Sequence, residues 1–178
     1  MKPKVYIFRG APASGKGTIV PKFAKLLPKP VVLIEQDKLR WGFHLIGRNI
    51  SDVTPEEHRM AYENTVLLYE RYLKSGKYTV VLEGLFTWSD KNSNEGNAKE
   101  LLELAAKNGF EAISIVLTAE KQQLLERNNN REHSVPPGEF EELYHGVYDE
   151  IDEKEIVIDS TMKSINETLA ELKNRLSF

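Results

Sequence analysis

The run Val5-Tyr-Ile-Phe8-Arg9, followed by Gly10-Ala-Pro-Ala-Ser-Gly15-Lys16-Gly17-Thr18, decides how the rest of the chain is read. A short apolar segment with β-branched residues gives way to a glycine-rich turn of G-x-x-x-x-G-K spacing, and a helical pattern over 18–27 follows at once. In a strand, loop, helix order of this kind, backbone N–H groups converge on anionic oxygens, because glycine has no Cβ to block the approach. The helix N-terminus and the Lys16 ammonium supply the positive field. The spacing therefore predicts a phosphate cradle made by Gly10, Ala13, Ser14, Gly15, Lys16, Gly17 and Thr18. Pro21 falls inside the helix and is expected to bend it, since it lacks an N–H and its ring crowds the preceding turn.

Outward from this loop, further short apolar runs at 31–35, 78–82, 112–117 and 155–158 alternate with helical patterns. The helices carry their own punctuation. Thr54, Pro55 and Glu57 read as cap, first-turn proline and capping box, and Ser75-Gly76 closes that helix. A helix over 98–107 ends at Asn108-Gly109. Phe140, Leu143, Tyr144 and Val147 form an i, i+3, i+4, i+7 stripe, and Ser164 with Glu167 caps a last helix bearing Ile165, Leu169, Leu172 and Leu176. Right-handed crossovers then predict an α/β fold, a doubly wound five-stranded parallel sheet with helices on both faces and a ligand crevice at the carboxyl ends of the strands. The polar stretches 89–97 and 128–138 read as mobile loops beside that crevice.

The 178 residues suit one domain, 1–178, and a composition of 40% apolar and 29% charged residues is that of a folded chain. No apolar run approaches the length of a membrane span and the N-terminal run is too short for a secretory signal, so a cytoplasmic protein without membrane contact is expected. With no cysteine, disulfides, thiol catalysis and cysteine zinc sites are excluded. The four histidines are scattered, so a metal would be held mainly by oxygen. A net charge of −3 lacks the basic excess of a nucleic-acid binder and favours a small-molecule partner.

Strand two runs into Ile34-Glu35-Gln36-Asp37-Lys38-Leu39-Arg40, which puts Asp37 at the carboxyl edge of the sheet, at the start of a short helix expected to stop near Gly47. Asp37 is either an N-cap or a carboxylate that takes the proton of an attacking hydroxyl. Strand three ends Val80-Val81-Leu82-Glu83-Gly84, so Glu83 is either a polar strand end or an acid that organises Mg²⁺ water. Trp41, Phe43, Phe86 and Trp88 are core aromatics or the lining of an acceptor pocket. Arg127 and Arg131, four apart, would share a helical face if the helix continued, and the three asparagines 128–130 imply a flexible segment.

A phosphate loop followed by a second strand ending Asp37-Lys38-Leu39-Arg40 resembles the AAA-type P-loop kinases, in the branch that includes polynucleotide 5′-hydroxyl kinases, zeta toxins and chloramphenicol phosphotransferase. The stretches 17–20 and 26–30 are similar to the last of these. The resemblance implies a P-loop NTPase fold and an ATP-dependent transfer of the γ-phosphoryl group to a hydroxyl of a small molecule, with ATP and Mg²⁺ as cofactors. It implies that Asp37 is the general base, that Arg40 contacts phosphate or acceptor, and that Arg127 and Arg131 belong to a lid over about 127–138 that closes on the phosphates. Glu83 looks like a Walker-B-type acid with glutamate in place of aspartate. The loop 159–161 would pass the adenine. Gly17 departs from the Ser or Thr that often ligates magnesium; the order Gly-Lys-Gly-Thr resembles adenylate kinases, which implies Mg²⁺ held largely through water near Thr18 and Glu83. Other readings stay open: a nucleoside or nucleotide kinase, a polynucleotide kinase, or a zeta-toxin-like or nucleotide-switch protein controlled by a partner. Asp37 weighs against a phosphate acceptor, which needs arginines more than a base.

Overall fold

The computed structural model of the chain describes residues 3–44 and 52–177. Five strands, β1 (Lys4–Arg9), β2 (Val31–Glu35), β3 (Thr79–Gly84), β4 (Glu111–Thr118) and β5 (Ile156–Asp159), form one parallel sheet in the order β2-β3-β1-β4-β5. The helices are α1 (Lys16–Leu26), α2 (Gln36–Leu39), α3 (Pro55–Ser75), α4 (Ala98–Lys107), α5 (Lys121–Asn129), α6 (Pro137–Tyr148) and α7 (Ile165–Leu176), with a π-helical turn at Arg40–His44. This is the expected fold class. The connection from β1 leads outward to β2 and that from β3 crosses over β1 to β4, so the neighbouring strands β1 and β3 part company at their carboxyl ends. A crevice opens there for geometrical reasons.

The period-2 alternation of the strands sorts the core into two layers. Tyr6, Phe8, Val81, Ile115, Leu117 and Ile158 face α1 and α7. Val5, Ile7, Ile34, Val80 and Leu82 face α3 and α4. A third, smaller apolar cluster of Ala119, Leu124, Val135 and Phe140 joins α5 to α6, with Leu143 and Tyr144 of the predicted stripe packed against it.

Both predicted capping boxes form: Glu57 N–H donates to Thr54 Oγ1 and Glu167 N–H to Ser164 Oγ. Gly76 takes the left-handed conformation that ends α3. Pro21 lies inside the continuous helix α1. Two expectations need correction. Phe86 is fully buried in the α3/α4 layer, edge-on to Tyr62, so it is core and lines no pocket, and Trp88 packs against the same layer. The segment 89–97 is not loose throughout, because Glu95, Gly96 and Asn97 are buried; a Cβ at Gly96 would lie 2.0 Å from the Tyr62 ring. The expected helix stop near Gly47 and the side chain of Phe43 lie outside the described residues. No helix among the described residues is long and apolar enough to cross a membrane.

Candidate active site

The glycine loop sits where the crevice opens. Gly15 (φ 94) and Ala13 (φ 61) are left-handed, which turns the chain sharply into α1, where the Thr18 N–H already bonds the Gly15 carbonyl at 3.0 Å. A Cβ at Gly10 would lie 2.5 Å from the Leu117 carbonyl oxygen, so only glycine fits between β1 and β4. Ser14 Oγ is buried and, among the described residues, makes no hydrogen bond within normal geometry. Gly17 and Thr18 are exposed.

Lys16 is only 8% exposed, and its ammonium donates to the carbonyls of Gly10 at 2.7 Å and Ala11 at 3.2 Å. Burial pulls its pKa below the ordinary lysine value, and the positive charge of Arg131 adds to that. Glu83, Asp37 and Glu95 act the other way. These groups come from four separate segments, so the fold brings Asp37, Glu83 and Arg131, each named from the sequence, together with Glu95, which was not.

Glu83 follows Val81 by two residues and shares its face, toward α1; it is in register with Phe8 of β1 and Glu35 of β2. Its carboxyl is buried, and burial raises its pKa to about 7, reinforced by the negative charges of Asp37 and Glu35 and opposed by Lys16 and Lys38. The described residues contain no group of three or more His, Cys, Asp or Glu arranged to hold a metal.

Asp37 is the second residue of α2, and the cap position is Glu35, so Asp37 is not an N-cap. Its side chain is 58% exposed, and Arg40 Nη1 donates to Oδ1 at 2.7 Å. Arg40 is buried and also reaches Glu95 Oε2 at 2.6 Å, so its charge is shared between two carboxylates. Lys38 is bonded to Glu35 at 2.5 Å. Glu95 is further held by His58, whose Nδ1 lies 2.7 Å from Oε1, and its carbonyl accepts from Gln36 Nε2 at 3.2 Å. Burial pushes the Glu95 carboxyl up, but His58 and Arg40 together hold it below the usual range. Glu95, His58 and Gln36 were not singled out from the sequence. Glu95 sat in a polar run that reads as loop, and nothing in the spacing pairs it with an arginine 55 residues away.

Helix α5 ends at Asn129 with Asn130 as its cap, so Arg127 and Arg131 do not share a helical face. Arg127 donates to Gln123 Oε1, to Ser160 Oγ at 3.2 Å and to the Ser160 carbonyl at 3.3 Å, which ties α5 to the loop 159–161. Arg131 is exposed and near enough to act on Lys16. The intervening segment is shorter and better fixed than three asparagines imply. Asn128 is buried and its amide bonds both the carbonyl (2.9 Å) and the N–H (3.0 Å) of Val135, as a neighbouring strand would.

The comparisons agree with this architecture. No curated protein matches the sequence significantly. Among solved structures, a protein from Chloroflexus aurantiacus J-10-fl whose kinase assignment is provisional superposes with a TM-score of 0.69 at 21% identity, covering 99% of this chain and 98% of that one. The Mycobacterium tuberculosis APS kinase CysC, solved with AMPPNP and APS, gives a TM-score of 0.63 at 18% identity, covering 99% of each chain. A gluconokinase from Sinorhizobium meliloti 1021 gives 0.61 at 18% identity, covering 99% of this chain and 97% of that one. These likenesses show the fold, a P-loop α/β architecture shared with kinases. The AAA domain model matches residues 5–146, from the first residues of β1 through the glycine loop, Asp37, Glu83, Arg127 and Arg131. A match over that much of the chain, on a sheet whose crevice gathers those residues, makes this protein a member of the AAA domain family.

Proposed function

We propose that this chain, as one domain over 1–178, is an ATP-dependent phosphotransferase that moves the γ-phosphoryl group of ATP to a hydroxyl of a small molecule. The observation that carries the reading is the placement of Asp37 and Glu83 close enough to Lys16 to act on its charge, with Asp37 open to solvent. Phosphates seated on the loop amides and Lys16 would put the γ-phosphoryl group between the cradle and the Asp37 carboxylate, which is where a base must stand to take a proton from an attacking alcohol. Arg131 adds positive charge near Lys16. Arg127, bonded to Ser160, orders the lid and the loop 159–161 around the nucleotide.

A hydroxyl acceptor is favoured over a phosphate acceptor by the pairing on the Asp37 side. Among the described residues there, Arg40 is shared by Asp37 and Glu95, and Lys38 is bonded to Glu35. Arg40 is thereby a positioning residue for the base. The site fits an ATP-borne Mg²⁺ reached through water, with the Glu83 carboxylate and Thr18 hydroxyl as its protein oxygens, better than a protein-built metal cage. Mg²⁺ would neutralise phosphate charge during transfer. The test is ADP release from MgATP across sugars, nucleosides, amino alcohols, antibiotics and oligonucleotides. Acceptor-dependent turnover that Asp37→Asn abolishes supports the reading; turnover only with nucleoside monophosphates, or no acceptor-dependent turnover, overturns it.

A further inference from the structure

The carboxyl-terminal end of α6 is bonded twice to the exit of β1, on either side of Gly10. Tyr148 Oη accepts the Ala11 N–H at 3.1 Å and donates to the Leu117 carbonyl at 2.8 Å. Arg9 is fully buried and donates to the carbonyls of Val147 and, at 2.8 Å, Glu150. Its other N–H groups pair with buried Glu155, which also accepts from Ser114 Oγ. The Leu117 carbonyl that takes the Tyr148 proton is the same one that leaves no room for a Cβ at Gly10. On its other side the Tyr148 ring meets Tyr144 edge-on at 4.9 Å, at the margin of the apolar cluster that joins α5 to α6. Tyr148 therefore touches the first peptide of the phosphate loop and the helical hairpin that leads to Arg131.

We propose that Tyr148 is a positioning residue for the phosphate loop: its hydroxyl fixes the Ala11 peptide, keeps the following amides aimed at the phosphates, and ties the loop to the seating of α5 and α6. A neutral phenol suits the place because one hydroxyl accepts from an N–H and donates to a carbonyl at once. Without it, both backbone groups lose this hydrogen bond, and the loop entrance is free to relax away from the geometry the phosphates need. The role rests on the nucleotide-binding reading above.

The test is Tyr148→Phe, which keeps the ring packing and removes only the hydroxyl. Calorimetric titration with MgATP and with MgAMPPNP should show Kd raised about tenfold, the size expected for one backbone-fixing hydrogen bond, with unchanged stoichiometry. Hydrogen exchange without nucleotide should quicken several-fold in peptides spanning 9–16 while those of α7 are unchanged. Wild-type protein that does not bind MgATP would overturn the nucleotide reading and this role with it. Wild-type binding matched within twofold by Tyr148→Phe would overturn this role alone. So would weaker binding without faster exchange at 9–16, or a variant that no longer folds, which would make the hydroxyl a general requirement of the fold.

Discussion

At the scale of single residues, an ammonium group stripped of water and turned onto its own loop carbonyls gains most when an anion arrives, which is the electrostatic situation of Lys16. Lys16→Ala should therefore lose nucleotide-dependent turnover by 10²-fold or more, about 3 kcal/mol of lost stabilisation, while circular dichroism stays that of the folded chain. Asp37 is more than half exposed and is not a cap, so Asp37→Asn should barely change the melting temperature. The chemical step should fall about 10² to 10⁴-fold in single-turnover measurements with ATP affinity retained; a loss of only several-fold would remove Asp37 from the chemistry. Glu83 predicts a pH signature in the nucleotide-free protein. Its pKa is raised to about 7 in the folded state, so the folded chain binds the proton more tightly than the unfolded chain does. The stabilisation is full below the ordinary glutamate value near 4.5 and is lost as pH rises through about 7, up to ~3 kcal/mol. Urea midpoints across that window should fall for the wild type, and Glu83→Gln should flatten the slope.

At the scale of elements, two short contacts decide how firmly the walls of the crevice are held. Asn128 supplies its own amide where the backbone between α5 and α6 lacks a partner. Asn128→Ala removes both bonds and leaves the Val135 peptide unpaired, which should cost about 2 kcal/mol and quicken hydrogen exchange over 130–136. Gly96 combines a φ of 77 with a Tyr62 ring lying where a Cβ would sit. Gly96→Ala should destabilise by more than 2 kcal/mol and displace Glu95, so that transfer slows through Arg40 even under conditions where the chain remains folded. A Gly96→Ala protein with wild-type melting temperature and turnover would show that the segment does not set the site.

For the whole molecule, the sheet order places β1 and β3 side by side, and the buried Arg9–Glu155 pair links the end of β1 to the approach to β5 and the end of α6. Arg9 has a carboxylate, two carbonyls and the Trp88 ring, at 5.9 Å, around it. Arg9→Met would leave Glu155 charged and buried without its partner, at a cost of about 3 to 5 kcal/mol. Denaturant unfolding should register that loss. A change below 1 kcal/mol would mean that the Asp152 N–H and the Ser114 hydroxyl satisfy Glu155 unaided.

The strand, loop and helix around Lys16 were legible in the sequence because glycine spacing and local periodicity are short-range properties. The same is true of the capping boxes at Thr54 and Ser164 and of the helix stop at Gly76, each specified within a few residues. The five apolar runs also gave the parallel sheet, since a strand covered on both faces must be apolar throughout. The supports of the site were not legible. Glu95 meets Arg40 across 55 residues, Tyr148 meets Ala11 across 137, and Arg9 meets Glu155 across 146. No local pattern marks such pairs, and a polar run such as 89–97 reads as loop whether its carboxylate is solvated or buried. Arg127 and Arg131 show the opposite failure, because their i, i+4 spacing promised a shared face that the helix end at Asn129 removed. Local chain chemistry fixed the glycine loop that carries Lys16. Only packing decided which of the remaining charges face it and which are spent on one another, since burial and pairing depend on neighbours that the order of residues does not reveal.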